Sequence, residues 1–204
     1  MRVVLATGNA GKIREFAELL APLGFEFVPQ AEFGIEPPEE TGETFEANAI
    51  LKARHAAARS GLPAMADDSG LEVDALGGAP GVRSARYAGE AAGDLANLQK
   101  LLQAMREIPP AARSARFRCV IALVRTADDP APLLGRGHWE GRILESARGA
   151  GGFGYDPVFA PRSEARSVAE LPSAEKHAQS HRAAALRDLI AQWRAAPWSV
   201  TGMR

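Results

Sequence analysis

Between Arg2 and Ala66 the hydrophobic period switches back and forth between that of a strand and that of a helix, which restricts the chain to the α/β class. Arg2 to Ala6 is a short β-branched run that stops at Thr7-Gly8-Asn9, the pattern of a strand entering a turn. From Gly11 the spacing of Ile13, Phe16, Ala17 and Leu20 is helical, and Pro22 with Gly24 forms the stop. Phe25 to Val28 reads as a second strand. Thr44 is placed to cap a helix reaching about Arg59, closed by Gly61 and Pro63. A third strand runs into Asp67-Asp68, where Ser69-Gly70 reads as a turn.

The second half is less regular. Residues 70–93 are rich in Gly and small side chains and read as a long loop. Leu95, Leu98, Leu102 and Met105 mark a helix that Pro109-Pro110 ends. Arg116 to Arg125 becomes solidly apolar at Val120-Ile121-Ala122-Leu123-Val124, a strong strand, and Asp128-Asp129-Pro130 is a turn. Leu133 to Leu144 reads as a pair of strands joined near Gly141, and Gly149 to Gly154 as a second Gly-rich loop. A last helix starts near Ser180 with Leu186, Leu189, Ile190 and Trp193 on one face. The expected architecture is a mixed, twisted sheet flanked by helices, a single domain over residues 1–204 with two lobes and a central cleft.

The 204 residues suffice for one sizeable core, and a formal net charge of -1 argues against attachment to nucleic acid or anionic membrane by bulk charge. The one cysteine, Cys119, lies inside an apolar run and reads as a core residue, with no intramolecular disulfide to form. The apolar start, Met1 to Leu5, is too short for a signal peptide, and no stretch is long enough to span a bilayer. Cytoplasmic residence is the expectation.

Five clusters can carry chemistry. Asp67-Asp68 places two like charges at the mouth of an apolar strand, which calls for a hard cation or a set of N–H donors; a solvated turn is the alternative. If a strand holds both, their side chains point to opposite faces and only one reaches a metal directly. Thr7-Gly8-Asn9-Ala10-Gly11-Lys12 joins a strand to a helix start, where free N–H groups, the helix dipole and the lysine suit a phosphate chain; an ordinary turn capped by Asn9 is the alternative. Glu39-Glu40, twelve residues before Lys52, can complete an octahedral Mg²⁺ site with the aspartates, or can form a solvated face. Gly152-Phe153-Gly154-Tyr155-Asp156-Pro157 offers an aromatic for stacking, with a tight turn that tucks Phe153 into the core as the alternative. Lys176, His181 and Arg182 cluster at a helix start where they can hold phosphate or a base edge, though on the residues alone Ser180 as an N-cap with surface charges around it is the favoured reading.

In this order the clusters resemble the inosine triphosphate pyrophosphatase family, the dITP/XTP pyrophosphatases. The resemblance rests on Thr7 to Lys12, Glu40-Thr41-Gly42, Asn48-Ala49 with Lys52-Ala53, Ala66 to Leu71, Gly77 to Gly81, Ser84-Ala85-Arg86-Tyr87, Gly151 to Pro157, Ala174-Glu175-Lys176 and Ser180-His181-Arg182. It runs from about residue 3 to 190.

The resemblance implies an elongated α/β fold that hydrolyses deaminated purine nucleoside triphosphates (ITP, dITP, XTP) to monophosphate and pyrophosphate, with Mg²⁺ and as a homodimer. By motif, Thr7, Gly8, Asn9, Ala10, Gly11 and Lys12 would bind the triphosphate, together with Lys52. Asp68 would be the general base and, with Glu40, would hold Mg²⁺. Ser69 would touch substrate, while Phe153, Gly154, Tyr155, Asp156, Lys176, His181 and Arg182 would surround base and phosphate. Arg83 to Tyr87 is a candidate for the dimer contact. The implied partner is a small nucleotide, with no direct nucleic-acid or membrane binding. A pyrimidine nucleotide pyrophosphatase and a non-catalytic nucleotide sensor are the competing readings.

Overall fold

The structure is a computed structural model that describes residues 2–20 and 26–195, with the side chains of Ala17, Glu18 and Leu20 outside it. The proposed stop at Pro22 and Gly24, and Phe25, lie outside the described residues. The elements are β1 (Arg2–Leu5), α1 (Ala10–Leu20), β2 (Glu26–Pro29), α2 (Phe45–Ser60), β3 (Ala64–Val73), α3 (Asp94–Ala104), β4 (Ser114–Val124), β5 (Leu133–Ile143), β6 (Phe159–Pro161), α4 (Ser173–Gln179) and α5 (His181–Ala195). One mixed sheet runs β2-β1-β3-β4-β5-β6. β1 pairs in parallel with β2 and β3, and the remaining neighbours are antiparallel.

The two-residue period of the strands sorts the core. On β3, Ala64 and Ala66 join Val120, Ala122 and Val124 of β4 against α2. Met65 turns the other way, with Cys119, Ile121 and Leu123, against Phe16 of α1 and Ala185, Leu186 and Leu189 of α5. α2 can lie close because it meets the sheet with Ala49, Ala53, Ala56 and Ala57. The Thr44 hydroxyl accepts from Ala47 N–H at its start, and Gly61, at φ 68°, closes it in the left-handed region. A third cluster beyond β3 joins Leu71, Val73, Leu98, Leu101, Phe117, Trp139 and Phe159.

Three expectations need correction, and glycine is the cause each time. Asp67-Asp68 does not end a strand: β3 continues through Ser69-Gly70 to Val73. Gly70 is there because a Cβ would stand 2.5 Å from both Gly81 O and Ser84 Oγ, so the segment behind it packs onto bare backbone. Residues 70–93 are therefore strand followed by two short 3₁₀ turns, Asp74–Leu76 and Gly81–Arg86, and not one long loop. Leu133–Ile143 is one strand, and Gly141 lies in it where a Cβ would stand 2.3 Å from Ala160 O on β6. In α3 the stripe runs through Leu98 and Leu101, while Leu95 is 68% exposed.

α5 rests directly on β5. A Cβ on Gly135 would stand 2.1 Å from Ala185 O, and one on Gly137 the same 2.1 Å from His181 O. Backbone cannot yield as a side-chain tip can, so Gly137→Ala is expected to push out the start of α5. The expected loss is about 2–3 kcal/mol in urea unfolding, the upper range for overpacking, with His181 and Arg182 displaced. A loss below about 0.5 kcal/mol would contradict this contact.

Candidate active site

Because β3 continues past the aspartates, its alternation assigns them to opposite faces. Asp68 follows Ala66 toward α2, and Asp67 follows Met65 toward α1 and α5. Both are buried, at 5% and 1% exposure, so neither is a solvated turn residue. Each heads its own charge network.

On the α2 side, Lys52 Nζ donates to Asp68 Oδ1 at 2.9 Å and to Glu40 Oε1 at 2.7 Å. Asn48, one helical turn before Lys52, donates to Asp68 Oδ2 at 3.2 Å and accepts from Gly42 N–H at 2.7 Å. Arg86 donates to Glu40 Oε2 at 3.0 Å. Glu39 is exposed and takes no part. Burial drives the Asp68 pKa up, Lys52 opposes this, and the Glu40 charge adds to the rise; the net direction is upward. Lys52 also rises, since Asp68, Asp67 and Glu40 outweigh its burial. One ammonium shared among several carboxylates gains more than any one of them gains from it.

On the other face, Asp67 Oδ2 meets Lys12 Nζ at 2.9 Å and Arg182 Nη2 at 3.5 Å. Arg182 also donates to Ser69 Oγ at 3.0 Å and to Glu15. Glu15 accepts from Lys176 at 2.6 Å, and Lys176 donates to Asp156 Oδ2 at 2.8 Å. Acids and bases therefore alternate from Asp156 through Lys176, Glu15, Arg182 and Asp67 to Lys12. Burial pushes Asp67 up, yet Lys12, Arg182 and Lys52 together hold its carboxyl well below the usual range. Asp156 moves up, burial outweighing Lys176. His181 stacks on Phe117 at 4.8 Å and 12°, and its burial, with Arg182 and Lys176 nearby, keeps the imidazole neutral. Buried Cys119 has its thiol pushed up to about 12, as a core residue should.

The two networks face one cleft. Thr7, Gly8, Asn9, Lys12, Glu40, Lys52, Asp68 and Ser69 line it with Phe153, Gly154, Tyr155, Asp156, Lys176, His181 and Arg182. Asn9 caps α1, accepting from Lys12 N–H at 3.0 Å, while its own N–H donates to Thr7 Oγ1 at 3.2 Å. Ala10 and Gly11 do not line the cleft. Gly11 instead lies under Phe153, where a Cβ would stand 2.6 Å from the ring. Lys176 Nζ is 4.8 Å and Arg182 Cζ 6.0 Å from the centre of the Phe153 ring, so two cations stand beside an aromatic face. The Tyr155 hydroxyl is turned away to donate to Ser84 O at 2.9 Å.

Sequence reasoning missed Glu15, gave no role to Asn48, and offered Arg86 only as part of a candidate dimer contact. Glu15 carried no signal in the sequence: it lies off the stripe of Ile13, Phe16 and Ala17, and only the structure shows that it is buried. Asn48 lies four residues before Lys52, hence on the same helix face. Arg86 had no local signal, because its partner Glu40 is forty-six residues away.

The donor set suits a divalent cation of the kind that uses few carboxylates. Among the described residues no three His, Cys, Asp or Glu side chains form a ready cage. Glu40 Oε1 and Asp68 Oδ1 do converge on one cationic point, taken here by Lys52 Nζ. Two carboxylates completed by substrate phosphates make a usual Mg²⁺ arrangement.

A buried acid of raised pKa, a capped helix start with a lysine, and an aromatic face flanked by cations define a protein that receives a phosphorylated aromatic molecule. A sequence profile of the Ham1 family matches residues 3–192, and the chain belongs to that family. It is 57% identical over 191 residues to a dITP/XTP pyrophosphatase of Vibrio parahaemolyticus, covering 94% of this chain and 96% of that one. A dITP/XTP pyrophosphatase of Shigella flexneri is also 57% identical, over 189 residues, covering 93% and 96%. Among solved structures, a HAM1 protein from Coxiella burnetii superposes with a TM-score of 0.88 at 51% identity, covering 96% of this chain and 100% of that one. The Staphylococcus aureus Ham1 protein gives 0.83 at 38% identity, covering 96% and 99%.

Proposed function

We propose that the protein hydrolyses deaminated purine nucleoside triphosphates, ITP, dITP and XTP, to the monophosphate and pyrophosphate, removing them from the nucleotide pool. The observation that carries this reading is the convergence of Asp68 and Glu40 on one cationic point in a cleft whose other wall is Lys12 and the start of α1. The relatives' shared name supports the substrate class.

In this reading water attacks the α-phosphorus, the bond to the β-phosphate oxygen breaks, and pyrophosphate leaves. Asp68 takes the proton, and its raised pKa brings it closer to the pH at which a base works best. Lys12, Lys52 and the N–H groups opening α1 hold the phosphates. Glu40 and Asp68 would hold Mg²⁺, which when bound would neutralise charge on the phosphate oxygens. Phe153 stacks on the base. Lys176 and Arg182 donate to O6, and against adenine, with an amino group at that place, those donors lose their acceptor. Neutral His181 supports the base end. We place the chain as a single two-lobed domain acting as a cytoplasmic homodimer, with Arg83 to Tyr87 as a candidate contact and no nucleic-acid or membrane partner. Among the described residues no helix is long and apolar enough to cross a membrane.

The test is a panel of nucleoside triphosphates assayed with and without Mg²⁺. ITP is expected to release pyrophosphate, and chelation to abolish turnover. Orthophosphate as product, a preference for UTP or dTTP, or tight ITP binding without turnover in Mg²⁺ would sink the proposal.

A further inference from the structure

Phe153 stands between two glycines in the left-handed region, Gly152 at φ 75° and Gly154 at φ 60°. Glycine gives the backbone more freedom than any other residue, so the ring keeps its place through ties from outside. At the base of the loop, Phe153 N–H donates to Asp156 Oδ2 at 2.9 Å. At its tip, Gly154 N–H donates to Asp94 Oδ2 at 2.8 Å, across a separation of sixty residues.

Asp94 is the first residue of α3 and borders the cleft. One turn on, Asn97 donates to Ala85 O at 3.0 Å and accepts from Ala88 N–H at 2.7 Å. Asn97 thereby holds the turn that carries Arg86, and through it Glu40. The opening turn of α3 thus grips the Phe153 loop with one side chain and the Glu40 side of the cleft with another.

We propose that Asp94 is a positioning residue whose carboxylate, by fixing Gly154, holds Phe153 in place as the platform for the nucleotide base. This rests on the functional reading above. The competing explanation is that Asp94 serves only α3, since an acid in the first turn complements the helix dipole. That role needs no contact with Gly154, and its loss leaves Phe153 where it is.

Asp94→Ala removes the acceptor; Asp94→Asn keeps an acceptor oxygen at the same reach. Three quantities separate the roles: amide exchange at Gly154, affinity for inosine monophosphate, and affinity for pyrophosphate. Asp94→Ala is expected to speed Gly154 exchange and weaken inosine monophosphate about five- to tenfold, the scale of one net hydrogen bond, with pyrophosphate affinity within about twofold. Asp94→Asn is expected to recover most of the loss. Unchanged Gly154 exchange, equal weakening of both probes, or an Asn variant as weak as Ala would overturn the proposal. A wild-type protein that protects Gly154 yet binds no inosine monophosphate would sink the functional reading and leave the clamp standing.

Discussion

Asp68→Asn is expected to lower kcat for ITP by about a thousandfold, within the range for loss of a general base, while the protein stays folded. The expectation on stability follows from the sign of the pKa shift. Asp68 is raised in the folded state, burial being the largest cause. A carboxyl with a raised folded pKa contributes stability while protonated and costs stability once pH exceeds that value. Charging Asp68 at neutral pH works against folding on its own account, but the same carboxylate helps to hold buried Lys52, whose pKa it raises. In the variant the single amide oxygen still accepts from Asn48, and Lys52 keeps Glu40. The two effects oppose each other, and the melting temperature is expected to move by only a few degrees. Near-normal turnover would remove Asp68 from the base role. A melting temperature lowered by many degrees would mean that the Lys52–Asp68 pair, at 2.9 Å, stabilises the fold after all.

The order and type of the elements up to Asp68 were legible in the sequence because each is short and sharply punctuated. Thr44 and Gly61 bracket α2 with chemistry that acts within a few residues, and the structure uses both as read. The errors fall where a residue answers to a distant segment. Gly70 and Gly141 look like turn residues to a local reading. Both lie inside strands, where another segment passes so close that a Cβ would meet it. The site divides in the same way. Residue types with chemistry of their own, Asp68, Lys12 and Phe153, stood out in the sequence. Their partners did not, because Glu15 reaches Arg182 over 167 positions and Arg86 reaches Glu40 over 46. Strand alternation was the one geometric rule that survived intact, sending Asp67 and Asp68 to opposite faces even though their strand does not end there.

The largest effect on stability is expected from Arg182→Met. Arg182 is 1% exposed and joins Glu15 and Asp67, which are themselves 5% and 1% exposed. Removing one member of a buried ionic group leaves charge uncompensated, at a cost of about 3–5 kcal/mol. The pH dependence identifies the cause. In the wild type, Glu15 and Asp67 both have folded pKa values held below the unfolded ones, against the upward push of burial. Their pairing therefore contributes stability above the unfolded carboxylate range, about 4, and loses it as pH falls through the folded values. In the variant Lys12 and Lys176 remain, but burial is less opposed, so both pKa values move up and protonation relieves the strain. The stability gap between wild type and variant, measured by urea unfolding, is expected to narrow as pH falls through the variant's raised carboxyl pKa values toward the lower ones of the wild type, in the acid range. A gap that stays constant with pH would assign the loss to packing against Phe16, whose ring lies 5.7 Å from the guanidinium carbon, and not to charge. Arg182→Lys separates the two further. It keeps the charge but not the planar fork that spans Glu15, Asp67 and Ser69 at once, so it is expected to restore the pH dependence before it restores turnover.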